Sequence, residues 1–178
     1  SIVTLNTNII GIYSVTYDVT DSDGVPSSQI VRNVTVIERT IVIPICFPKV
    51  TLVNTDNGRI EIDKIIPNNH TINNKSIIHI SKITHPDKNL VCLEKNCFGL
   101  NKPDKTTIIS PFHKILFNNR MIEAYKFVNK FKKIYYIPNN TDFMYNVLMK
   151  DHSAMMVNNL IVETLNPNIE YSQNILNE

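Results

Sequence analysis

Short runs of alternating apolar and polar residues extend along most of the chain. In the first part, Tyr13, Val15 and Tyr17 fall on one face of an extended segment, with polar residues between them. The segment Asp21–Gly24 has the composition of a turn, and Ile30–Val36 is the next β-favouring run. This pattern predicts two strands joined as a hairpin-like unit.

From Cys46 to Leu165 the chain continues as short β-favouring runs separated by turns. Asp56–Gly58 is a hairpin signal between two such runs. Asn118–Asn119 and Asn158–Asn159 have the composition of tight turns. The predicted strands here are Val50–Val53, Arg59–Ile65, Ile77–Ile83, Leu90–Leu93, Thr107–Ile109, Lys114–Phe117, Ile134–Ile137, Tyr145–Met149, Ala154–Val157 and Leu160–Glu163. A helix is expected at Met121–Lys132 alone, so the pattern indicates an all-β protein.

Two changes in composition suggest domain boundaries. Glu38–Thr40 is a polar break, and Ile41–Ile45 is a short apolar run in which Pro44 keeps the preceding residue extended. After Leu165 the chain is polar and rich in Asn. We therefore expect one domain over residues 1–39, a second over residues 40–165, and a polar tail over residues 166–178.

Composition and charge narrow the classes of function. The 178 residues suffice for one good core or two small ones, and 43% of them are hydrophobic. The net charge of +2 comes from interspersed basic and acidic residues, which does not indicate a nucleic-acid partner. No run approaches the roughly 18 uncharged apolar residues that span a bilayer, and Ser1–Thr4 lacks the features of a signal peptide. We expect a monomer without a membrane span.

The chain contains three cysteines, an odd number that does not suit a disulfide framework. Cys46 is the expected free thiol. Cys92 and Cys97 could be loop thiols, a local disulfide or two zinc ligands, but His79 and His85 are scattered and form no obvious second ligand pair. We therefore expect neither a metal nor a cofactor.

Cys46 is well placed to attack the backbone. It follows an extended apolar segment directly, and the nearest carbonyl is that of Ile45. Attack by the thiolate would give a thioester through an N-to-S acyl shift, which needs a proton donor for the leaving nitrogen. Ser110 and His113 could supply a hydroxyl for the scissile peptide and an imidazole for its nitrogen. A buried inert thiol and a structural histidine fit the same spacing.

The first domain resembles a known family. GIYSVTYDVTDSDGVPSSQIVRNVTV is similar to the last strands of bacterial-type immunoglobulin-like modules, with matches that include Gly11, Gly24 and Arg32. The likeness covers only the C-terminal half of such a module. It implies a partial Ig-like β-sandwich segment before the second domain.

The second domain resembles the Hint domains, the hedgehog/intein self-processing family. The matching segments, in the order of the family's blocks, are CFPKVTLVNTDNGRIEIDKI, ISPFHKILFNNRMIEAYKF and MYNVLMKDHSAMMVNNLIVETL. The amino-acid sequence of these segments most resembles Hint-like domains of large DNA viruses. The resemblance implies a compact, horseshoe-like β domain. It leaves the compartment open, with a virus or the cytoplasm of a virus-infected cell as the expectation.

The resemblance also implies roles for particular residues. Cys46 matches the nucleophile, and His113 matches the histidine that activates the scissile amide. Ser110 stands where the family usually has Thr. Asp151 and His152 resemble the Asp-His pair in the closing block of hedgehog-type domains.

Three positions depart from the family pattern. Asn146 lies where many inteins carry an Asp that assists proton transfers. Glu163 and Thr164 stand where splicing inteins end in His-Asn, and Thr has no side-chain amide that could cyclise. The resemblance therefore implies N-terminal cleavage without splicing.

The expected activity is a single-turnover self-cleavage at the Ile45–Cys46 bond. The substrate is the chain's own N-terminal flank, and water, a thiol or another small nucleophile releases the thioester. An alternative is a decayed Hint domain that serves as a structural or interaction module of a virus-like surface protein. A second alternative is that the Ig-like segment carries the function as a binding module.

Overall fold

The computed structural model describes residues 9–36, 45–84, 86–169 and 172–173. The chain divides into two compact units, Ser1–Ile41 and Val42–Glu178. The regular structure of the described residues is almost entirely β, which confirms the predicted all-β class. Within those residues, no helix is both long and apolar enough to cross a bilayer.

The first unit contains an antiparallel pair, β1 (Gly11–Tyr17) and β2 (Ile30–Val36). In the predicted turn between them, the Asp21 carboxylate accepts hydrogen bonds from the backbone N–H groups of Asp23 and Val25 at 3.0 and 2.8 Å. The predicted hairpin is thus confirmed. The assignment of this two-stranded sheet to an Ig-like module stays a prediction.

The described strands of the second unit are short and follow one another closely. In chain order they are β3 (Phe47–Pro48), β4 (Leu52–Thr55), β5 (Gly58–Glu61), β6 (Thr71–Ile72), β7 (Lys75–Ile83), β8 (Asn89–Leu93), β9 (Thr107–Ile109), β10 (Lys114–Phe117), β11 (Arg120–Glu123), β12 (Ile134–Pro138), β13 (Met144–Met149), β14 (Ala154–Val157) and β15 (Leu160–Glu163). The strands predicted over Thr107–Ile109, Lys114–Phe117, Ala154–Val157 and Leu160–Glu163 have the predicted bounds.

These strands form three sheets. One has six strands in the order β11-β10-β15-β14-β4-β5, one has three in the order β12-β8-β9, and one has four in the order β3-β13-β7-β6. Buried side chains from all three sheets form the main core, among them Val53, Val91 and Val147. In the four-stranded sheet, β13 is an inner strand with β3 on one side and β7 on the other.

The two predicted asparagine turns are confirmed. Asn118 and Asn119 have φ angles of 48° and 60°, and Asn158 and Asn159 have 46° and 65°. Positive φ at both central residues gives the tight turn whose twist matches that of the flanking strands. Asn tolerates this conformation better than most residues, because its short polar side chain can hydrogen-bond locally.

The helix expected at Met121–Lys132 is wrong. The Asn118–Asn119 turn returns the chain along β10, so that β11 forms an antiparallel ladder with it. The chain then makes a single 3₁₀ turn at Ala124–Phe127. Phe127 packs its ring against those of Phe98, Phe117 and Phe131. Pairing and packing with distant parts of the chain therefore override the local preference of this segment.

The strand predicted over Arg59–Ile65 is too long. Strand β5 ends at Glu61, and Ile62–Lys64 forms a 3₁₀ turn in which Ile62 is buried. The sequence pattern also missed the two-residue strands β3 and β6. Strands this short contain too few alternating positions to be recognised from periodicity.

Candidate functional site

The register of β13 against β3 positions the Ile45–Cys46 peptide. Met144 lies opposite Pro48, and Tyr145 lies opposite Phe47. When this antiparallel register is extended by one residue, Asn146 comes opposite Cys46. The short strand β3 thus holds the start of the second unit's described chain against an inner strand of the sheet.

Cys46 has an apolar environment. Its exposed fraction is 1%, and it belongs to a small buried cluster with Leu90 and Met144. Burial raises the pKa of the Cys46 thiol well above its ordinary value. The thiol is therefore neutral near neutral pH, and a base must remove its proton before the sulfur can attack a carbonyl.

Ser110 hydrogen-bonds Cys46 in both directions. The Cys46 N–H donates to Ser110 Oγ at 2.9 Å, and the Ser110 N–H donates to the Cys46 carbonyl oxygen at 3.0 Å. Ser110 is fully buried at the end of β9. The hydroxyl expected near the scissile peptide therefore lies directly at the nitrogen of the Ile45–Cys46 bond.

His113 follows Ser110 in the same turn and is fully buried. Its ring centroid lies 4.3 Å from that of Phe47, the residue after Cys46. His113 Nε2 lies 2.9 Å from the carbonyl oxygen of Glu163. A carbonyl oxygen only accepts hydrogen bonds, so we assign the ring proton to Nε2. Nδ1 is then the unprotonated nitrogen of the neutral ring.

Asn146 contacts the other side of the same peptide. Its Nδ2 donates to the carbonyl oxygen of Ile45 at 2.5 Å. Its Oδ1 accepts the N–H of Val147 at 2.7 Å, and the side chain is fully buried. Sequence reasoning treated Asn146 only as a departure from the family pattern. The signal that could have found it is an amide side chain in the otherwise apolar and aromatic strand Met144–Met149.

The buried Glu163 carboxylate connects several groups of the closing segment. Its Oε1 accepts the backbone N–H of Lys114 at 3.0 Å, and its Oε2 lies 3.6 Å from Lys114 Nζ. The same Oε2 lies 3.4 Å from Nε2 of His152. His152 and Asp151 are both exposed. Among the described residues, no hydrogen bond joins Asp151 or His152 to Cys46.

Thr164 is held inside the fold. Its Oγ1 accepts the N–H of Ser153 and donates to the Ser153 carbonyl oxygen, each at 3.0 Å. The next residue, Leu165, donates its N–H to the Val147 carbonyl oxygen at 2.9 Å and is buried. The chain after Thr164 therefore continues beside β13. In the predicted polar tail, Ser172 Oγ donates to the Asn166 carbonyl oxygen at 2.6 Å.

The other two cysteines are free thiols as well. Burial raises the pKa of Cys97 to about 11. Burial also raises the pKa of Cys92, and a hydrogen bond with Cys92 raises that of Tyr135 to about 12. In the part of the chain that the structure describes, no group of His, Cys, Asp and Glu side chains could hold a metal ion. His85 lies outside the described residues.

Comparison with known proteins identifies similarity in the part of the chain that contains the candidate site. A family model of the Hint domain matches residues 45–168. A solved DnaB intein from Synechocystis sp. PCC 6803 is similar, with 10% identity, a TM-score of 0.50, and coverage of 68% of this chain and 99% of that one. Variant M86 of the Ssp DnaB mini-intein has 11% identity and a TM-score of 0.51, covering 67% of this chain and 94% of that one. At such identities the structural likeness concerns the fold alone, and no curated protein matches the chain.

Proposed function

Since the chain belongs to the Hint domain family, we propose that it cleaves its own backbone at the Ile45–Cys46 peptide bond. The observation that carries the proposal is the hydrogen bond from the Cys46 N–H to Ser110 Oγ, at 2.9 Å in a fully buried site. This bond supports the proposal because the Cys46 nitrogen is the atom that would leave the Ile45 carbonyl carbon. The proposed nucleophile is the thiol of Cys46, so substrate and catalyst belong to one chain.

The first step is an N-to-S acyl shift. Cys46 Sγ bonds to the carbonyl carbon of Ile45, and the bond from that carbon to the Cys46 nitrogen breaks. The thiol proton is taken up by His113 at Nδ1 and passed to the leaving nitrogen, which becomes a free amine. Ser110 orients the peptide during this exchange, because its hydroxyl oxygen can accept from the amide N–H before the attack and from the protonated leaving nitrogen afterwards.

The second step releases the N-terminal flank. Water or a small thiol attacks the thioester carbonyl, and the Cys46 sulfur leaves. The products are residues 1–45, with a new carboxyl or thioester end, and residues 46–178, with Cys46 at the amino end. The scheme uses no metal or cofactor. Because Thr164 carries no amide that could cyclise, residues after Leu165 stay attached and no splicing occurs.

His152 acts in this scheme through Glu163. The Glu163 carbonyl oxygen accepts from His113 Nε2, and the Glu163 carboxylate lies 3.4 Å from His152 Nε2. His152 is thus a positioning residue that helps to hold the strand on which His113 depends. Asp151 precedes His152 and is exposed, and its carbonyl oxygen accepts a hydrogen bond from Ser153 Oγ; the scheme gives it no part in the chemistry.

Mass spectrometry of the purified chain with and without dithiothreitol tests the proposal. We expect thiol-dependent fragments that correspond to residues 1–45 and 46–178. Cys46→Ala should give the intact chain only, and Cys92→Ala is the matched control that should cleave like the wild type. An intact wild-type chain after long incubation with excess dithiothreitol would contradict the proposal.

The burial of the thiol favours one alternative. Cys46 lies in an apolar cluster that keeps it protonated, which also suits a Hint fold retained without its chemistry. Such a protein would be a structural or interaction module, in line with the loss of the terminal His-Asn pair at Glu163 and Thr164. The dithiothreitol experiment separates the two, because only the active chain yields fragments.

A further inference from the structure

The carbonyl oxygen of Ile45 has a dedicated hydrogen-bond donor. Asn146 Nδ2 lies 2.5 Å from this oxygen. The amide is held in that orientation from the other end, because its Oδ1 accepts the N–H of Val147 at 2.7 Å. A backbone N–H can only donate, so Oδ1 must face Val147 and the NH₂ group must face Ile45.

We propose that Asn146 is a catalytic residue that stabilises the oxyanion formed on the Ile45 carbonyl during the acyl shift. This inference rests on the proposed cleavage and names a group that the family pattern does not supply at this position. When the sulfur bonds to the carbonyl carbon, the π electrons move to the oxygen, which becomes negatively charged. The hydrogen bond from Asn146 then has a charged acceptor and strengthens.

The surroundings of Asn146 make this donor effective. The side chain is fully buried in an inner strand, and the register of β13 against β3 places it opposite the reacting peptide. A donor fixed before the reaction needs no reorganisation as charge develops, and it acts more strongly where water is excluded. The transition state is therefore stabilised more than the ground state, which is the condition for a higher rate.

An amide at this position differs in kind from a carboxyl group. A carboxyl group can transfer a proton, but when ionised it donates no hydrogen bond and repels an oxyanion. The Asn146 amide donates at every pH of interest and transfers no proton. If its role is that of a fixed donor, replacing it by the isosteric carboxylate should harm the reaction at least as much as removing it.

The test compares initial cleavage rates in dithiothreitol for the wild type, Asn146→Ala and Asn146→Asp, with thermal melting of each variant as a check on folding. Loss of one oxyanion donor slows a reaction by about 10²- to 10³-fold. We expect Asn146→Ala to slow cleavage by this factor and Asn146→Asp to be no faster. The matched control is Asn119→Asp in the exposed β10–β11 turn, which should cleave at the wild-type rate.

A second measurement needs no variant and is independent of cleavage. Ile45–Cys46 is the only Ile-Cys pair in the sequence. Labelling Ile with ¹³C at its carbonyl, Cys with ¹⁵N at its backbone and Asn with ¹⁵N at its side-chain amide alone therefore identifies one carbonyl resonance. We expect a long-range correlation through the hydrogen bond between that carbonyl and the side-chain NH₂ of Asn146 in the wild-type chain without thiol.

The outcomes separate this inference from the proposed function. A wild type that does not cleave overturns both. A wild type that cleaves, beside folded Asn146 variants that cleave at the same rate, overturns the role of Asn146 alone. Faster cleavage by Asn146→Asp than by Asn146→Ala would also overturn the role of Asn146, because that order of rates indicates proton transfer by the carboxyl group. Should both variants unfold, absence of the carbonyl correlation from the folded wild type overturns the inference, and its presence supports it.

Discussion

Replacing Ser110 by Ala removes the hydroxyl that accepts the N–H of the proposed scissile bond. The side chain is fully buried, and the bond from the Cys46 N–H is 2.9 Å long. Alanine leaves that buried N–H without its acceptor, which costs about 1–3 kcal/mol of folding free energy. For a unit of this size, each kcal/mol lowers Tm by about 4 °C. We expect Ser110→Ala to remain folded but to melt several degrees lower.

The same substitution should slow cleavage. A hydrogen bond to a charged group contributes about 1.5–3 kcal/mol, against about 0.5–1.5 kcal/mol for a neutral pair. The leaving nitrogen becomes positively charged when it is protonated, so its hydrogen bond to the Ser110 hydroxyl should strengthen by roughly 1–1.5 kcal/mol in the transition state. Loss of this stabilisation corresponds to a rate about tenfold lower in Ser110→Ala. Ser110→Thr keeps the hydroxyl and should cleave at the wild-type rate or faster.

Two assays keep the effects apart. Melting is measured in a Cys46→Ala background, so that every chain stays intact, and rates are measured by mass spectrometry with dithiothreitol in chains that retain Cys46. An unchanged Tm together with an unchanged rate in Ser110→Ala would refute the reasoning. A lower Tm with an unchanged rate would leave Ser110 a purely structural role.

Four further predictions concern the imidazole of His113 and the thiols of Cys46 and Cys97. His113→Ala should slow cleavage strongly because the proton carrier is lost, whereas His79→Ala should not; equal rates in the two variants would exclude the role of His113. Because burial raises the pKa of Cys46, the initial cleavage rate should rise with the Cys46 thiolate fraction between about pH 7 and pH 9. The rate is measured by mass spectrometry, and a rate that does not change with pH would show that thiol ionisation does not limit the reaction. The pKa of Cys97 is raised from 9.0 to about 11, so its thiolate fraction at pH 8 is about 100-fold below that of an ordinary thiol, and alkylation of folded protein should be slower by this factor than alkylation of unfolded protein. The folded chain holds the Cys97 thiol proton more tightly than the unfolded chain. The contribution of this thiol to the free energy of unfolding is therefore complete below pH 9.0 and is lost as the pH rises through about 11. Tm should fall across this pH range, and a constant Tm would contradict the prediction.

The all-β class and most strands of the second unit were predictable because they depend on neighbours along the chain. Alternation of apolar and polar residues reports which face of a strand is buried, whatever that face packs against. The asparagine turns are equally local. All described non-glycine residues with positive φ are asparagines, and the whole sequence has only four glycines. Asparagine therefore serves at many left-handed positions here, although its abundance alone suggested no role.

The segment Met121–Lys132 shows where local preference fails. Its composition allows a helix, but the Asn118–Asn119 turn returns it onto β10, and Phe127 reaches an aromatic cluster with Phe98. The Asn118–Asn119 turn lies next to the segment in sequence, whereas Phe98 does not. A prediction based on the residues of the segment alone includes neither the turn nor the contact with Phe98.

The sequence by itself determined the strand pattern, the turns, the expectation of a Hint fold and the candidates Cys46, Ser110 and His113. Only the tertiary structure decided which groups meet. Ser110 and Cys46 are 64 residues apart, and Asn146 and Ile45 are 101 apart, yet each pair shares a hydrogen bond. Those contacts follow from the register of β13 against β3 and from the position of the turn after β9. Register between distant strands results from packing the whole core, so no local pattern in the sequence specifies it.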